Sequence, residues 1–355
     1  MQRFSALLVA LAPFTAAAQQ GPFTVGSATA TAGTTAFGAI AIPAAADSAT
    51  SIAVAVIRGA KPGPVVSFVA GSHGTEYSSI VAMQQLIGRI DPKALSGTVI
   101  VAPLLNVASF LAMTPHINPI DRKGMNAGYP GDPDGTQTAR VLAAVQTQIL
   151  MPSDVVVDLH GGDLDEDLRP YSYWFRGGRP AQDSAGLKLV MAFGLDHIIV
   201  NDIDAASNPG RSLSSQALVK GKTVLVAEAG RSGIVAPSDL TALVEGSLNV
   251  LGELKMIPRS VVRVKNPVWL NGAAPRITAK QPGVFLAAVA RDTRVTKGQV
   301  LGHTTDFLGR PTGDVVSEID GLVTFIRGVP SMWTGATLAT VLPVMAKPEP
   351  WKAPQ

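Results

Sequence analysis

Three short stretches of this chain carry the residue types that hydrolytic metal chemistry needs. The first is Gly71-Ser-His73-Gly-Thr-Glu76, set between an apolar run that ends at Ala70 and a helix that begins near Tyr77. A histidine and a glutamate three apart on a tight, glycine-punctuated turn can present an imidazole nitrogen and a carboxylate oxygen to one metal ion. Taken alone, the stretch reads equally well as a helix cap with an incidental histidine. The second is Val155-Val-Val-Asp158-Leu-His160-Gly-Gly, another apolar run ending in a histidine and two glycines. It makes a third ligand available, and two histidines with one glutamate form a catalytic zinc set that leaves the fourth position open to water or substrate. Asp158 is either an outer carboxylate that orients a ligand or a turn former at the strand end. The third is Thr223-Val-Leu-Val-Ala-Glu228-Ala-Gly, where an apolar run again ends in a carboxylate. A glutamate beside a zinc-activated water can take its proton and later hand it to a leaving nitrogen. The competing reading of Glu228 is an acid near a helix N-terminus. The histidines His197 and His303 have no such setting and read as structural.

The surrounding pattern says how these stretches are held. Short β-type runs at Ala36 to Ile42, Ser51 to Ile57 and Val65 to Val69 are separated by Pro/Gly/Ser segments, and helical spacing over Tyr77 to Ile90 precedes the apolar run Thr98 to Leu105. Helices follow at Thr136 to Leu150, Ala185 to Phe193 and Leu240 to Leu254, with buried strands at Asp154 to Leu159 and Thr223 to Ala227. Buried strands alternating with helices imply an α/β sheet covered on both faces, with its ligands at the carboxyl ends of the strands. After about Ile257 the texture changes to short β runs between turns, as at Val261 to Val264, Gly283 to Val289, Gln299 to His303 and Leu322 to Ile326. That stretch is expected to form a smaller all-β domain.

Taken together, Gly-Ser-His73-Gly-Thr-Glu76, Asp158-Leu-His160-Gly-Gly and Ala227-Glu228-Ala-Gly resemble the succinylglutamate desuccinylase/aspartoacylase family, relatives of the zinc carboxypeptidases. The resemblance implies a zinc carboxypeptidase-like α/β domain before a β domain, and amide hydrolysis at one zinc ion per chain. It implies His73, Glu76 and His160 as ligands and Glu228 as general base. The segment between the first two ligand motifs departs from the family's pattern. It reads His116-Ile-Asn118-Pro-Ile-Asp121-Arg122-Lys-Gly-Met-Asn126-Ala127, so the usual Asn-Arg pair has become Asn126-Ala127 and an arginine ahead of Asn-Pro has become His116. His116 is therefore the expected oxyanion donor, an imidazolium in place of a fixed guanidinium fork. Asn126, Arg122 and Arg231 are the expected substrate contacts. Loss of the clamping arginine weakens the case for a free carboxylate on the substrate, and the acidic and aromatic segment Asp163 to Trp174 is either a pocket wall or a solvated loop.

Bulk composition narrows the class further. At 355 residues, 46% apolar and only 15% charged, the chain can bury a large core. A net charge of +3, with 29 Lys+Arg against 26 Asp+Glu and no dense basic run, argues against nucleic acid as partner. There is no cysteine, so any zinc has only His, Asp and Glu to bind it. Met1-Gln-Arg3 and the apolar run Phe4 to Leu11 before Ala16-Ala17-Ala18 read as an export signal. The expected order is a signal peptide (1–18), a catalytic domain (19–256), a β domain (257–346) and a tail (347–355), in a secreted or periplasmic protein without a membrane span. The expected activity is zinc-dependent cleavage of an amide in a small molecule or short peptide. An esterase or lactonase on the same site, or a zinc-containing binding protein without turnover, are the alternatives, and a homo-oligomer is compatible with all three.

Overall fold

The computed structural model describes residues 21–204 and 210–349, so the segment read as an export signal lies outside the described residues. Its centre is a ten-stranded mixed sheet. In spatial order the strands are Val344–Met345, Val268–Asn271, His197–Asp202, Tyr171–Arg176, Thr223–Glu228, Val155–His160, Lys61–Ala70, Ser96–Ala102, Thr50–Arg58 and Thr34–Ile42. Four neighbours in the middle (Thr223–Glu228, Val155–His160, Lys61–Ala70 and Ser96–Ala102) run parallel, each buried on both faces, which is why they read as unbroken apolar runs. Helices cover both sides, as expected. Tyr77–Ile87, Pro180–Phe193 and Pro237–Glu253 pack on a core containing Phe68, Val157 and Leu225. Gln137–Val145 and Leu213–Val219 pack on the opposite core, containing Val69, Val156 and Val226.

On one side the parallel run gives way to three strands of opposite direction, Tyr171–Arg176, His197–Asp202 and Val268–Asn271. Tyr171–Arg176 lies antiparallel to Thr223–Glu228, with Tyr171 opposite Glu228. Its first residue therefore sits at the same edge of the sheet where the parallel strands finish.

The C-terminal part is all β. One sheet takes Arg276–Thr278, Thr337–Leu342, Gly321–Arg327 and Arg294–Val295, and a second takes Pro311–Val316, Val300–Thr305, Gly283–Ala287 and Ser331–Met332. They enclose a core around Phe285, Leu301, Val323 and Val341. The first of these sheets reaches back to the other part of the chain, because Glu166–Leu168 pairs with Gly321–Arg327, Leu168 opposite Phe325. The large sheet in turn takes Val268–Asn271 and Val344–Met345 from beyond residue 257. The expected strand at Val261–Val264 is absent. That segment is irregular, its Val264 amide donating to the Met191 carbonyl (3.0 Å), and Val262 is exposed. With no neighbouring strand in place, alternation alone does not make a strand.

Candidate active site

The three chemical stretches converge because of strand polarity and the period-two alternation of side chains. Lys61–Ala70, Val155–His160 and Thr223–Glu228 are parallel neighbours, so their carboxyl ends share one edge. Along Val155–His160, Asp158 and His160 follow Val156 onto one face, and along Thr223–Glu228, Glu228 follows Val224 and Val226 onto that same face. Register places Glu228 directly opposite His160. His73 and Glu76 arrive from the turn after Ala70.

The turn is tight for reasons visible in its neighbours. A Cβ on Gly74 would lie 2.3 Å from the Phe110 amide nitrogen and 2.6 Å from the Asn106 carbonyl oxygen, so no side chain fits. The Gly74 amide donates instead to Ser109 Oγ (3.0 Å). The Gly161-Gly162 pair after His160 is equally constrained. The Gly161 amide donates to Glu76 Oε2 (3.1 Å), and a Cβ on Gly162 would meet the Glu166 carbonyl oxygen at 2.4 Å.

Glu76 stands at the centre, one carboxylate oxygen 2.6 Å from His73 Nδ1 and the other 2.9 Å from His160 Nδ1. Burial alone would raise its carboxyl, but the two imidazoles outweigh burial and hold it at about 2. His73, Glu76 and His160 each offer one ligand atom within 4.8 Å of the others. Both histidines also have a partner on the far nitrogen: Asp158 Oδ1 lies 3.3 Å from His160 Nε2, and the Asn126 amide 3.3 Å from His73 Nε2. A carboxylate on the far nitrogen, as Asp158 is for His160, favours the proton on Nε2 and leaves Nδ1 for a metal. An ionised carboxylate flanked by two oriented imidazoles is a donor set that zinc fits. His73, His116 and Asp163 form a second group with the same spacing, sharing His73. Asp163 is already engaged by Thr75, by the His116 amide (2.8 Å) and by the Leu164 amide (2.8 Å), which makes this group the weaker claimant.

Glu228 is half-buried and receives a hydrogen bond from the Tyr171 hydroxyl (3.0 Å). Burial pushes its carboxyl up to about 7, with Glu76 adding to the rise and His160 and Tyr171 opposing it. Glu166, which sequence reasoning did not single out, is raised to about 7 by the same causes, burial first, with Glu76 and Glu228 adding. His73, Glu76, Asn126, Asp158, His160, Glu166, Tyr171 and Glu228 line one cavity of ≈ 370 Å³. Its wall is an aromatic ladder on alternate residues of one strand. Tyr171 meets Tyr173 edge-on at 5.3 Å, and Tyr173 stacks on Phe175 at 5.7 Å. Its roof comes from the C-terminal strands, through Thr324, Phe325, Thr337 and Thr340.

Three expected roles meet a different arrangement. His116 is held with φ 63°, and both ring nitrogens face carboxylates, Nδ1 toward Asp163 (3.1 Å) and Nε2 toward Asp165 (3.0 Å). Burial opposes its charge, yet the bond to Asp165 and the charges of Asp163 and Glu166 raise it to about 9. Both nitrogens are engaged by carboxylates, which leaves no free N–H for an oxyanion, and His116 does not line the cavity. Arg122 is exposed and outside the cavity, because Asp121 ties the turn to Thr138 (2.9 and 2.8 Å) and leaves the next side chain outward. Arg231 is likewise exposed, its backbone packed behind Gly162. Asn126 alone of the expected substrate contacts lines the cavity. Tyr171 and Tyr173 belong to the aromatic segment that follows the third ligand, so a signal for them existed, whereas nothing in the sequence pointed to Arg276, the one arginine among the described lining residues.

Site and scaffold together define a candidate metal-binding site on a carboxypeptidase-like mixed sheet. Residues 62–254, which hold every candidate ligand and Glu228, match the succinylglutamate desuccinylase/aspartoacylase catalytic domain, and the chain belongs to that family of amide-hydrolysing deacylases. It is 29% identical over 308 residues to the N-alpha-acetyl-L-2,4-diaminobutyric acid deacetylase of Halomonas elongata, covering 84% of this chain and 87% of that one. Solved structures share the fold. A succinylglutamate desuccinylase/aspartoacylase from Rhodobacter sphaeroides superposes with a TM-score of 0.78 at 24% identity, over 88% of this chain and 96% of that one. The product-bound ectoine utilization protein EutE (DoeB) from Ruegeria pomeroyi gives 0.78 at 22% identity, over 87% and 95%. Among the described residues no helix is long and apolar enough to cross a membrane.

Proposed function

We propose that this protein is a zinc-dependent deacylase that hydrolyses an amide bond of a small N-acyl compound, with His73, Glu76 and His160 as ligands and Glu228 as general base. The observation that carries the reading is the convergence of Glu76, the imidazoles of His73 and His160 on its two carboxylate oxygens, and a half-buried Glu228 at the ends of three parallel strands. Zinc held there supplies Lewis acidity, polarising the scissile carbonyl and acidifying water. Glu228, close to neutrality, takes a proton from the attacking water and returns it to the leaving nitrogen. Tyr171 keeps the Glu228 carboxylate pointed into the cavity through its hydroxyl. Asn126 and Asp158 set the two imidazole planes. The ladder of Tyr171, Tyr173 and Phe175 dries one wall, which strengthens every polar contact at the reacting bond. The Halomonas relative is named for removing an acetyl group from an amino-acid nitrogen, and a substrate of that class fits within the cavity. Export to the periplasm or medium is the location we propose, on the N-terminal sequence alone.

Metal analysis of the purified chain, combined with hydrolysis of N-acetyl amino acids and of ester analogues before and after chelation, tests this. About one zinc per chain and chelator-sensitive amide hydrolysis are expected. Glu228→Gln is expected to keep the zinc and to lose turnover by at least about two orders of magnitude. Chains that bind no metal under replete conditions, or that cleave only esters, would overturn the reading.

A further inference from the structure

The cavity is longer than an acetyl group needs, and its two ends differ in chemistry. Glu76, Glu166 and Glu228 crowd the metal end together with His73 and His160. Moving across the sheet from Glu228, the lining passes to Tyr171 and Tyr173 on the next strand, then to Ile199 and Asn201 on the strand after that. Two strand spacings make this a span of about 10 Å. Beyond it stands Arg276, on the strand Arg276–Thr278 that pairs with the roof strand, Arg276 opposite Thr340. No described residue forms an ion pair or hydrogen bond with its guanidinium. Its charge nevertheless acts inside the cavity. The Tyr173 phenol, pushed up by burial and by Glu228 from one side, is pulled down by Arg276 from the other.

Arg276 is exposed at the far end of the pocket, and a guanidinium there with no partner among the described residues is placed to capture an anion that reaches in beside it. We infer that Arg276 is a specificity-determining residue that binds a carboxylate on the substrate, across the aromatic wall from the scissile amide. The preferred substrates are then elongated N-acyl compounds with an apolar middle and an anionic far end. This rests on the deacylase reading above, and it puts the carboxylate-binding arginine in the C-terminal β part, where the Asn126-Ala127 segment has none.

The test uses zinc-loaded enzyme and three acid and carboxamide pairs: 6-acetamidohexanoate (carboxylate on the amine side), suberanilate (carboxylate on the acyl side) and N-acetylglycine (too short to span). In the wild type at least one elongated acid is expected to exceed its carboxamide in kcat/KM by about ten- to a hundredfold, mostly through KM. Arg276→Ala should remove that preference, Arg276→Lys should keep part of it, and Arg276→Glu should invert it. Whichever elongated acid responds identifies the side of the amide that faces Arg276. Calorimetric titration of 6-acetamidohexanoate and suberanilate into metal-stripped protein gives a second readout, with weaker binding of the responding acid in Arg276→Ala. If no amide is turned over, the deacylase reading fails while the titration still decides Arg276. An acid preference that survives Arg276→Ala, no acid preference in the wild type, or equal dependence on Arg276 for N-acetylglycine would overturn the inference.

Discussion

Glu228 and Tyr171 form the pair through which the chemistry of this site can be read by pH. The carboxyl is raised by burial to about 7, and the Tyr171 hydroxyl, by donating to the charged form, works against that rise. A base acts only when deprotonated, so kcat/KM is expected to climb with pH on its acid limb. Tyr171→Phe removes a donor to the carboxylate, and the acid limb should move to higher pH, with activity near neutrality falling several-fold and zinc content unchanged. A limb that stays in place would show that another group titrates there. At this scale the sequence was readable where a cavity-lining residue ends a buried apolar run, as His160 and Glu228 do, because such a strand has no structural need for a charge. His116 was misread as an oxyanion donor because Asp163 and Asp165, some fifty positions on, occupy both its nitrogens. No local spacing announces a contact of that range.

Among the elements, the glycine turns and the reversed strand Tyr171–Arg176 shape the pocket. Gly162 lets the chain after His160 pass against the Glu166 carbonyl and the Arg231 backbone, with 2.4 Å and 2.7 Å left for any Cβ. Both obstacles are backbone, so Gly162→Ala is expected to cost about 1–3 kcal/mol by denaturant titration, and to lower zinc occupancy through displacement of His160. Full stability with full zinc would remove the packing argument. The parallel strands were predictable from their apolar runs, to within a few residues at each end. Tyr171–Arg176 was not, since its mixture of tyrosines, serine and arginine carries a polar texture, and its strand character comes from antiparallel pairing with Thr223–Glu228. The expected strand at Val261–Val264 failed for the complementary reason, alternation without a partner.

Across the whole molecule, His116 links the site loop to the C-terminal strands. Asp165 accepts from His116 on one side and from the buried Arg327 on the other (2.7 Å), and Arg327 rises from the strand that pairs with Glu166–Leu168. Folding raises His116 from its ordinary 6.5 to about 9. The proton is therefore held more tightly in the folded state, and the stability this confers is complete below about 6.5 and fades as pH climbs through about 9. Metal-stripped wild type should lose melting temperature over that interval, whereas His116→Gln should begin lower and show a flatter profile; parallel profiles would dissociate His116 from the effect.

The reversed strand and the returning C-terminal strands have an evolutionary consequence. Every residue we assign to bond breaking lies between 73 and 228, while the roof and Arg276 come from residues 274 to 342, with the Tyr171 strand as the seam between them. Selection can therefore rewrite what the enzyme accepts by changing the later half of the gene and leave its reaction untouched. The same partition suits directed evolution, since a library confined to Arg276, Thr337 and Thr340 explores new substrates without touching the candidate ligands.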